Sequence, residues 1–379
     1  MMKTASLYLH FPFCLSKCAY CDFNSQVADP EVRATYLAAL LQDLPRSARL
    51  AGQRLITSVY FGGGTPTLYP AEDLCRVLGS VRQHFALAAD TEVTIEANPA
   101  TVGAEGLALL RESGCNRLSL GVQSFSADEL QLLGRAHTAA EARQAVAQAR
   151  AAGFENLSLD LINALPGQTA GQWLASLQQA LQLQPEHLSC YGLSLEPGTP
   201  LAARVSAGEL TRPPEDDAVA LYELTHELAT EAGYEHYEIA NYARPGRRCR
   251  HSENYWRNGE YVGVGAGAWS YLSGRRFRQE PDPLRWAERV ALGLPPAVVE
   301  EEKLPRKERA AETLMLALRT ADGVDLAAYC RQFRLDPERF TLRRQALIEA
   351  GLARDLDGHL ALDPVRGFLL QSEIAQMFL

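Results

Sequence analysis

The sequence predicts an α/β protein: an open, partial (β/α)6 barrel followed by a small, mostly helical, winged-helix-like domain. Three observations carry this expectation. Short β-forming runs alternate with longer helical stretches through the first half of the chain, the signature of right-handed βαβ units and a parallel sheet. Polar residues collect at the carboxyl ends of those runs, where ligands gather in such folds. Beyond about residue 196 the alternation stops and the text changes character.

The elements follow in order. "SLYLHF" (6–11) precedes an amphipathic stretch near 32–44, and "ITSVYF" (56–61) precedes a helix near 71–86. "TEVTIEA" (91–97) leads to a helix near 104–113, and "RLSLGV" (117–122) to helical text over 126–153. "NLSLDLI" (156–162) leads to a helix near 170–183, and "HLSCYGLSL" (187–195) closes the series. Six such units are too few to close an eight-stranded barrel, which makes an open one the natural form. A helix near 215–233 then precedes a stretch rich in aromatics and glycine, "YEIANYARPGRRCRHSENYWRNGEYVGVGAGAWSY". The charged, proline-containing "EEKLPRKE" marks a boundary, giving units 1–302 and 303–379. The second should hold about three helices and a short hairpin.

Composition narrows the function. The net charge of −9 leaves no basic excess to neutralise phosphates, which argues against nucleic acid as a partner. No run approaches the ~18–20 apolar residues needed to cross a bilayer, so at most transient membrane contact is expected. The N-terminus has no secretory h-region. Of eight cysteines, three cluster at 14, 18 and 21 and five are scattered, the usage of a reducing, cytoplasmic setting.

In "HFPFCLSKCAYCDFNS" the spacing Cys14-x3-Cys18-x2-Cys21 wraps three thiols around one object. A structural zinc wants four ligands. A cubic iron–sulfur cluster held by three cysteines instead keeps one iron open for a substrate or cofactor. A degenerate zinc knuckle, completed by His10, and three ordinary buried cysteines are the alternatives. After the second strand, "YFGGGTPT" (60–67) offers a glycine-rich turn that lets backbone approach a ligand closely. It lacks the Lys-Ser/Thr ending of a phosphate-binding loop.

Together these motifs resemble the radical S-adenosylmethionine (SAM) superfamily. "LYLHFPFC", "GGGTPT", "TIEANP", "RLSLGVQSF", "LGRAH", "LSLDLINALPGQT" and "LEPGTP", in that order, look like its coproporphyrinogen-III-oxidase-like branch. The end of the chain resembles that branch's small C-terminal domain. The resemblance implies a [4Fe–4S] cluster on Cys14, Cys18 and Cys21, with SAM on the open iron and an electron donor to reduce the cluster. It implies Tyr8 beside the SAM, Tyr20 by its adenine, Gly63 at its methionine part and Glu96 on its polar groups. Gln123, Arg135 and Asp160, with Gly64 and Thr65, match a second SAM site. Glu96 as a plain salt-bridge partner, and Arg135 with Asp160 as a structural ion pair, are the alternatives.

Within the branch, the oxidase usually carries a fourth cysteine two places after the third and a long N-terminal extension. Here Phe23 holds that place and 13 residues precede Cys14. Both features resemble the haem chaperones of the branch, which bind haem and deliver it to haem-requiring respiratory apoproteins. The reading therefore favours a haem carrier over a coproporphyrinogen-decarboxylating enzyme that generates a 5′-deoxyadenosyl radical. The chaperones' His-Asn-x-x-Tyr-Trp signature corresponds to His251, Ser252, Tyr255 and Trp256, with Ser replacing Asn. His251 is thus the candidate haem ligand, with Cys249 as an alternative and a packing or capping role as the plainer reading. Trp269 stands where the relatives often have His, and Asn163-Ala164 where they often have an aromatic or Met followed by Gly.

Overall fold

The computed structural model describes residues 3–378. The six strand-like runs are β1 (Thr4–Phe11), β2 (Leu55–Gly63), β3 (Leu87–Ala97), β4 (Arg117–Gln123), β5 (Leu157–Asn163) and β6 (His187–Gly192). Each pairs in parallel with the next. The outer cover is formed by α1 (Pro30–Ala51), α2 (Ala71–His84), α3 (Ala104–Glu112), α4 (Ala127–Leu133), α5 (Ala139–Ala151) and α6 (Ala170–Gln182).

Strand periodicity sorts the side chains into two environments. On β4 the residues Leu118, Leu120 and Val122 are buried toward the helices, as are Leu157, Leu159 and Leu161 on β5. The alternate residues Arg117, Ser119, Gly121 and Gln123 face the barrel interior, as do Asp160 and Ile162. The barrel is therefore apolar outside its strands and polar within. Trp173 on α6 is fully buried, and its indole N–H donates to Thr225 Oγ1 at 2.9 Å. Burying a side chain of that size adds roughly 2–3 kcal/mol.

The 126–153 text is two helices and not one. Gly134 ends α4 in the left-handed conformation (φ 69°), and Thr138 with Glu141 forms a reciprocal capping box that starts α5. The chain after β6 adds α7 (Pro200–Ser206) and α8 (Glu215–Glu231), then more strands than the sequence suggested. These are β7 (Glu235–Glu238), β8 (Asn241–Ala243), β9 (Tyr261–Val264), β10 (Trp269–Leu272), β11 (Arg275–Gln279) and β12 (Val298–Glu302). They extend both edges into one twelve-stranded sheet, ordered β12-β11-β10-β9-β1-β2-β3-β4-β5-β6-β8-β7. β9 runs parallel to β1 and the other additions are antiparallel. The terminal strands β12 and β7 do not pair with each other, so the barrel is open. Between β8 and β9 lies α9 (Arg250–Trp256), and α10 (Pro283–Ala291) covers α1.

A second core begins in α11 (Arg306–Ala317) and joins α12 (Leu326–Phe333), α13 (Glu338–Glu349) and a three-stranded sheet. That sheet comprises β13 (Val324–Asp325), β14 (Ala353–Leu356) and β15 (His359–Leu362). The order helix, strand, two helices, hairpin is a winged-helix arrangement. Tyr222 from α8 packs on this core and donates to the Pro364 carbonyl at 2.8 Å.

At the end of β5, Ala164 adopts φ 56°, a left-handed conformation that costs an L-residue energy and glycine almost none. Ala164→Gly is expected to raise unfolding stability by about 0.5–1 kcal/mol, the relieved strain outweighing the greater unfolded-state freedom of glycine. Urea denaturation should show a higher midpoint with an unchanged slope.

Candidate functional site

The carboxyl ends of β2 to β6 and the 14–23 loop surround one cavity of about 540 Å³. The cysteine loop is pinned at both ends and in its middle. Cys14 N donates to the Gln26 carbonyl at 3.0 Å, Gln26 N to Pro12 at 2.9 Å, and Ala19 N to Leu133 at 3.0 Å. Cys14, Cys18 and Cys21 all line the cavity. Thr65 Oγ1 donates to Cys14 Sγ at 3.7 Å, and Arg135 Nη1 to Cys18 Sγ at 3.3 Å. Burial raises the Cys14 and Cys21 thiols above their ordinary range, which favours the protonated form until a cation joins them. The three sulfurs do not converge on a point. Among the described residues no trio of His, Cys, Asp or Glu is gathered as one metal ion requires. Phe23 is 63% exposed at the cavity mouth.

His10 does not complete a thiolate site. Its Nε2 donates to the Asn24 carbonyl at 2.9 Å and its Nδ1 accepts from Tyr8 at 3.0 Å, and burial lowers its pKa to about 4.

The glycine turn closes on the protein itself. Gly64 N donates to the Phe11 carbonyl at 2.7 Å and Thr65 N to Phe13 at 2.8 Å. A Cβ at Gly64 would stand 2.6 Å from the Phe13 oxygen, closer than real contacts allow. Gly63 takes φ 116° and its N–H donates to Glu96 at 3.1 Å. Gly64 is thus needed for backbone to approach backbone, and Gly63 for its positive φ and for room beside the His10 ring.

Glu96 lines the cavity and also accepts from Tyr60 at 2.7 Å. It makes no salt bridge among the described residues, so the plain ion-pair alternative does not hold. Asp160 accepts from Ser119 at 3.0 Å and Ser158 at 3.2 Å, and burial pushes its carboxyl up. Arg135 is not paired with it: the second guanidinium nitrogen donates to the Gly121 carbonyl at 2.6 Å. Gln123 borders the cavity with φ 65°, a strained conformation at the end of β4 where the pairing with β5 slips. Tyr20 lines the same cavity, packed beside Leu133, Ile162 and Leu165.

Two candidates stand apart. Tyr8 lies behind Tyr60, their rings 6.2 Å apart, and does not border the cavity. His251 is also off the cavity wall, 2% exposed and held between α9 and β2. Ser58 Oγ donates to Ser6, so it accepts from His251 Nδ1 at 3.0 Å, and His251 Nε2 accepts from Tyr255 at 3.1 Å. Burial, with Arg117 nearby, lowers its pKa to about 3. Cys249 and Ser252, from the same segment, do line the cavity, and Ser252 Oγ donates to Cys249 Sγ at 3.4 Å. Sequence reasoning missed several wall residues, among them Tyr60, Arg117, Ser119 and His187. The strict alternation of "RLSLGVQ" was the available signal for two of them.

Burial raises the Glu96 carboxyl to about 7, against the two donors that favour its charge. A raised carboxyl stabilises the fold most below the unfolded pKa near 4.5, and that stability is lost as pH rises through 7. The stability difference between wild type and Glu96→Gln, measured by urea unfolding, should therefore move against wild type between pH 4.5 and 7.5. The expected size is on the order of 1–3 kcal/mol. A difference flat in pH overturns the assignment.

Residues 8–180 match the radical SAM superfamily model and residues 304–370 the HemN C-terminal domain model. A heme chaperone HemW of Escherichia coli is 43% identical over 69% of this chain and 69% of its own. Heme chaperone HemW of Bacillus subtilis is 34% identical over 100% of this chain and 99% of its own. The coproporphyrinogen III oxidase (HemN) structure from Escherichia coli superposes with a TM-score of 0.85 at 25% identity. That match covers 100% of this chain and 90% of the oxidase. By end-to-end identity and by a cysteine loop facing the rim of an open barrel, this chain belongs to the HemW family of the radical SAM superfamily.

Proposed function

We propose that the protein is a haem chaperone, binding haem and delivering it to respiratory haem proteins in the cytoplasm. The observation that carries this reading is 34% identity to a heme chaperone HemW, spread over the whole chain. Phe23 supports it, because the place where the oxidases carry a fourth cysteine here presents an exposed aromatic ring. Among the described residues no helix is long and apolar enough to cross a membrane.

The radical SAM family implies a [4Fe–4S] cluster and SAM. The proposed cluster ligands are Cys14, Cys18 and Cys21, whose spread around the cavity suits a polynuclear group better than a single ion. When bound, the reduced cluster supplies the electron for SAM cleavage. The chain's part is to hold and polarise. Arg135 places positive charge on Cys18, and Thr65 donates to Cys14, both favouring thiolate. Glu96, Gly63 and Tyr20 are the proposed SAM contacts, with Tyr8 supporting them from behind Tyr60. Gln123, Asp160 and Arg135, with Gly64 and Thr65, form the wall proposed for a second SAM. The core is proposed to end at 302 and the small domain to span 303–379. The recipients are proposed to be haem-requiring apoproteins, and a reduced electron carrier to serve the cluster.

A haem iron on His251 requires its Nε2 lone pair, which the Tyr255 hydroxyl covers. Tyr255→Phe is expected to tighten haem binding several-fold, and His251→Ala to abolish the Soret shift of bound haem. Equal haem spectra in wild type and His251→Ala would remove His251 and leave Cys249 as the ligand.

The second reading, an oxygen-independent coproporphyrinogen oxidase, is favoured by the full-length superposition on that enzyme. Anaerobically reconstituted, reduced protein with SAM and coproporphyrinogen III decides between them by mass spectrometry. We expect the porphyrinogen unchanged while cluster absorbance is intact and lost in Cys18→Ala. Loss of two carboxyl groups would make the protein a catalyst.

A further inference from the structure

Arg117 opens β4 at the deep end of the cavity, six residues before Gln123 at the rim, or ~20 Å of strand. Its side chain is buried, the residue being 2% exposed. Among the described residues it makes no salt bridge and no side-chain hydrogen bond, and its Nε is buried without a partner. Its neighbours are already committed. Glu92 accepts from the backbone N–H groups of Arg250 and His251, each at 3.2 Å. His187 bonds Ser158 and Tyr237, each at 2.8 Å, and Tyr60 donates to Glu96. Arg135, on the same wall, donates from its two terminal nitrogens to Cys18 and Gly121, with its Nε also buried without a partner. Among the described residues Arg117 presents to the cavity a guanidinium that makes no hydrogen bond from any of its three nitrogens.

Glu92, Glu96 and Asp160 lie near enough to offset its charge, but none reaches the guanidinium in a hydrogen bond, and buried donors left unsatisfied are costly. The guanidinium fork matches a carboxylate with two parallel hydrogen bonds. We propose that the barrel floor is an anion subsite, in which Arg117 takes a carboxylate of the ligand that fills the cavity. A carboxylate fits better than a phosphate, because Glu92, Glu96 and Asp160 stand close enough to repel a second negative charge. The subsite rests on geometry, whereas its occupant being a propionate arm of haem rests on the proposed function.

The test uses cluster-loaded wild type, Arg117→Met and Arg117→Gln. Without ligand, Arg117→Met should melt only a few degrees below wild type, since the nearby carboxylates lose a counter-charge but no hydrogen bond or ion pair to Arg117 is broken. Sodium propionate should raise the wild-type melting temperature above what sodium chloride does at equal ionic strength, and neither variant should show that excess. Haem should bind wild type at least about tenfold tighter than haem dimethyl ester, and the variants should bind both alike. Variants that melt far below wild type yet keep the propionate response would make Arg117 a structural cation and overturn the subsite. Haem and its ester binding wild type equally would remove haem as the occupant while the haem reading stands. If wild type binds no haem, that reading fails, and the propionate titration decides the subsite alone.

Discussion

Everything at the rim depends on one backbone seam, where the chain leaving β1 runs beside the chain leaving β2. The two strands are parallel partners through Phe11 and Gly63, and pairing continues beyond them from Gly64 to Phe11 and from Thr65 to Phe13. Only glycine fits at 64, since a Cβ there would meet the Phe13 carbonyl oxygen. The seam fixes where Cys14 begins and puts the Thr65 hydroxyl on its sulfur. It also aims the Gly63 N–H at Glu96, which draws the third strand into the same arrangement. Three sequence-distant features become one site because two backbones have no side chain between them.

From that seam inward, the barrel is a polar core with every consequence of low dielectric. Burial holds Glu96 and Asp160 toward their neutral forms, and hydroxyl and amide donors counteract it. Arg135 is offset by a thiol and a carbonyl, which are partial partners. Such a wall is balanced for a ligand that brings its own charges, and an apolar interior of equal volume would be more stable and hold nothing.

How much of this could be read in advance follows from locality. The six parallel strands and their helices announce themselves through alternation and length, and the cysteine spacing through chemistry. The α4–α5 break was written in Gly134 and in Thr138 with Glu141, local signals that a uniformly helical composition obscured. β7 to β12 are short and carry no periodic pattern, and they are strands because β1 and β6 offer them edges. Arg117 and Ser119 were legible as the polar half of an alternating strand. The situation of His251 was not, because its partner Ser58 lies 193 residues away. A residue type suggests what an imidazole could bind; only the fold decides whether its lone pair is free.

The barrel floor and the small domain are joined next to His251. α9 carries His251 and Tyr255 toward β1 and β2 while Cys249 and Ser252 face the cavity. Its other side is tied outward. Arg248, just before the helix, grips Asp322 at 2.8 Å, and Arg319 lies 4.4 Å above the Trp256 ring. Asn258 donates to Thr313 on α11 at 2.9 Å, and Ala321 N to the Tyr237 carbonyl at 2.9 Å. A helix that walls the cavity is thus held by contacts belonging to the C-terminal core. Any movement of α9 that uncovers the His251 lone pair must strain those contacts, and any force on the small domain reaches the barrel floor through them. The two units are separate in core and coupled at α9 as well as through Tyr222 on Pro364 and Arg276 on Glu312.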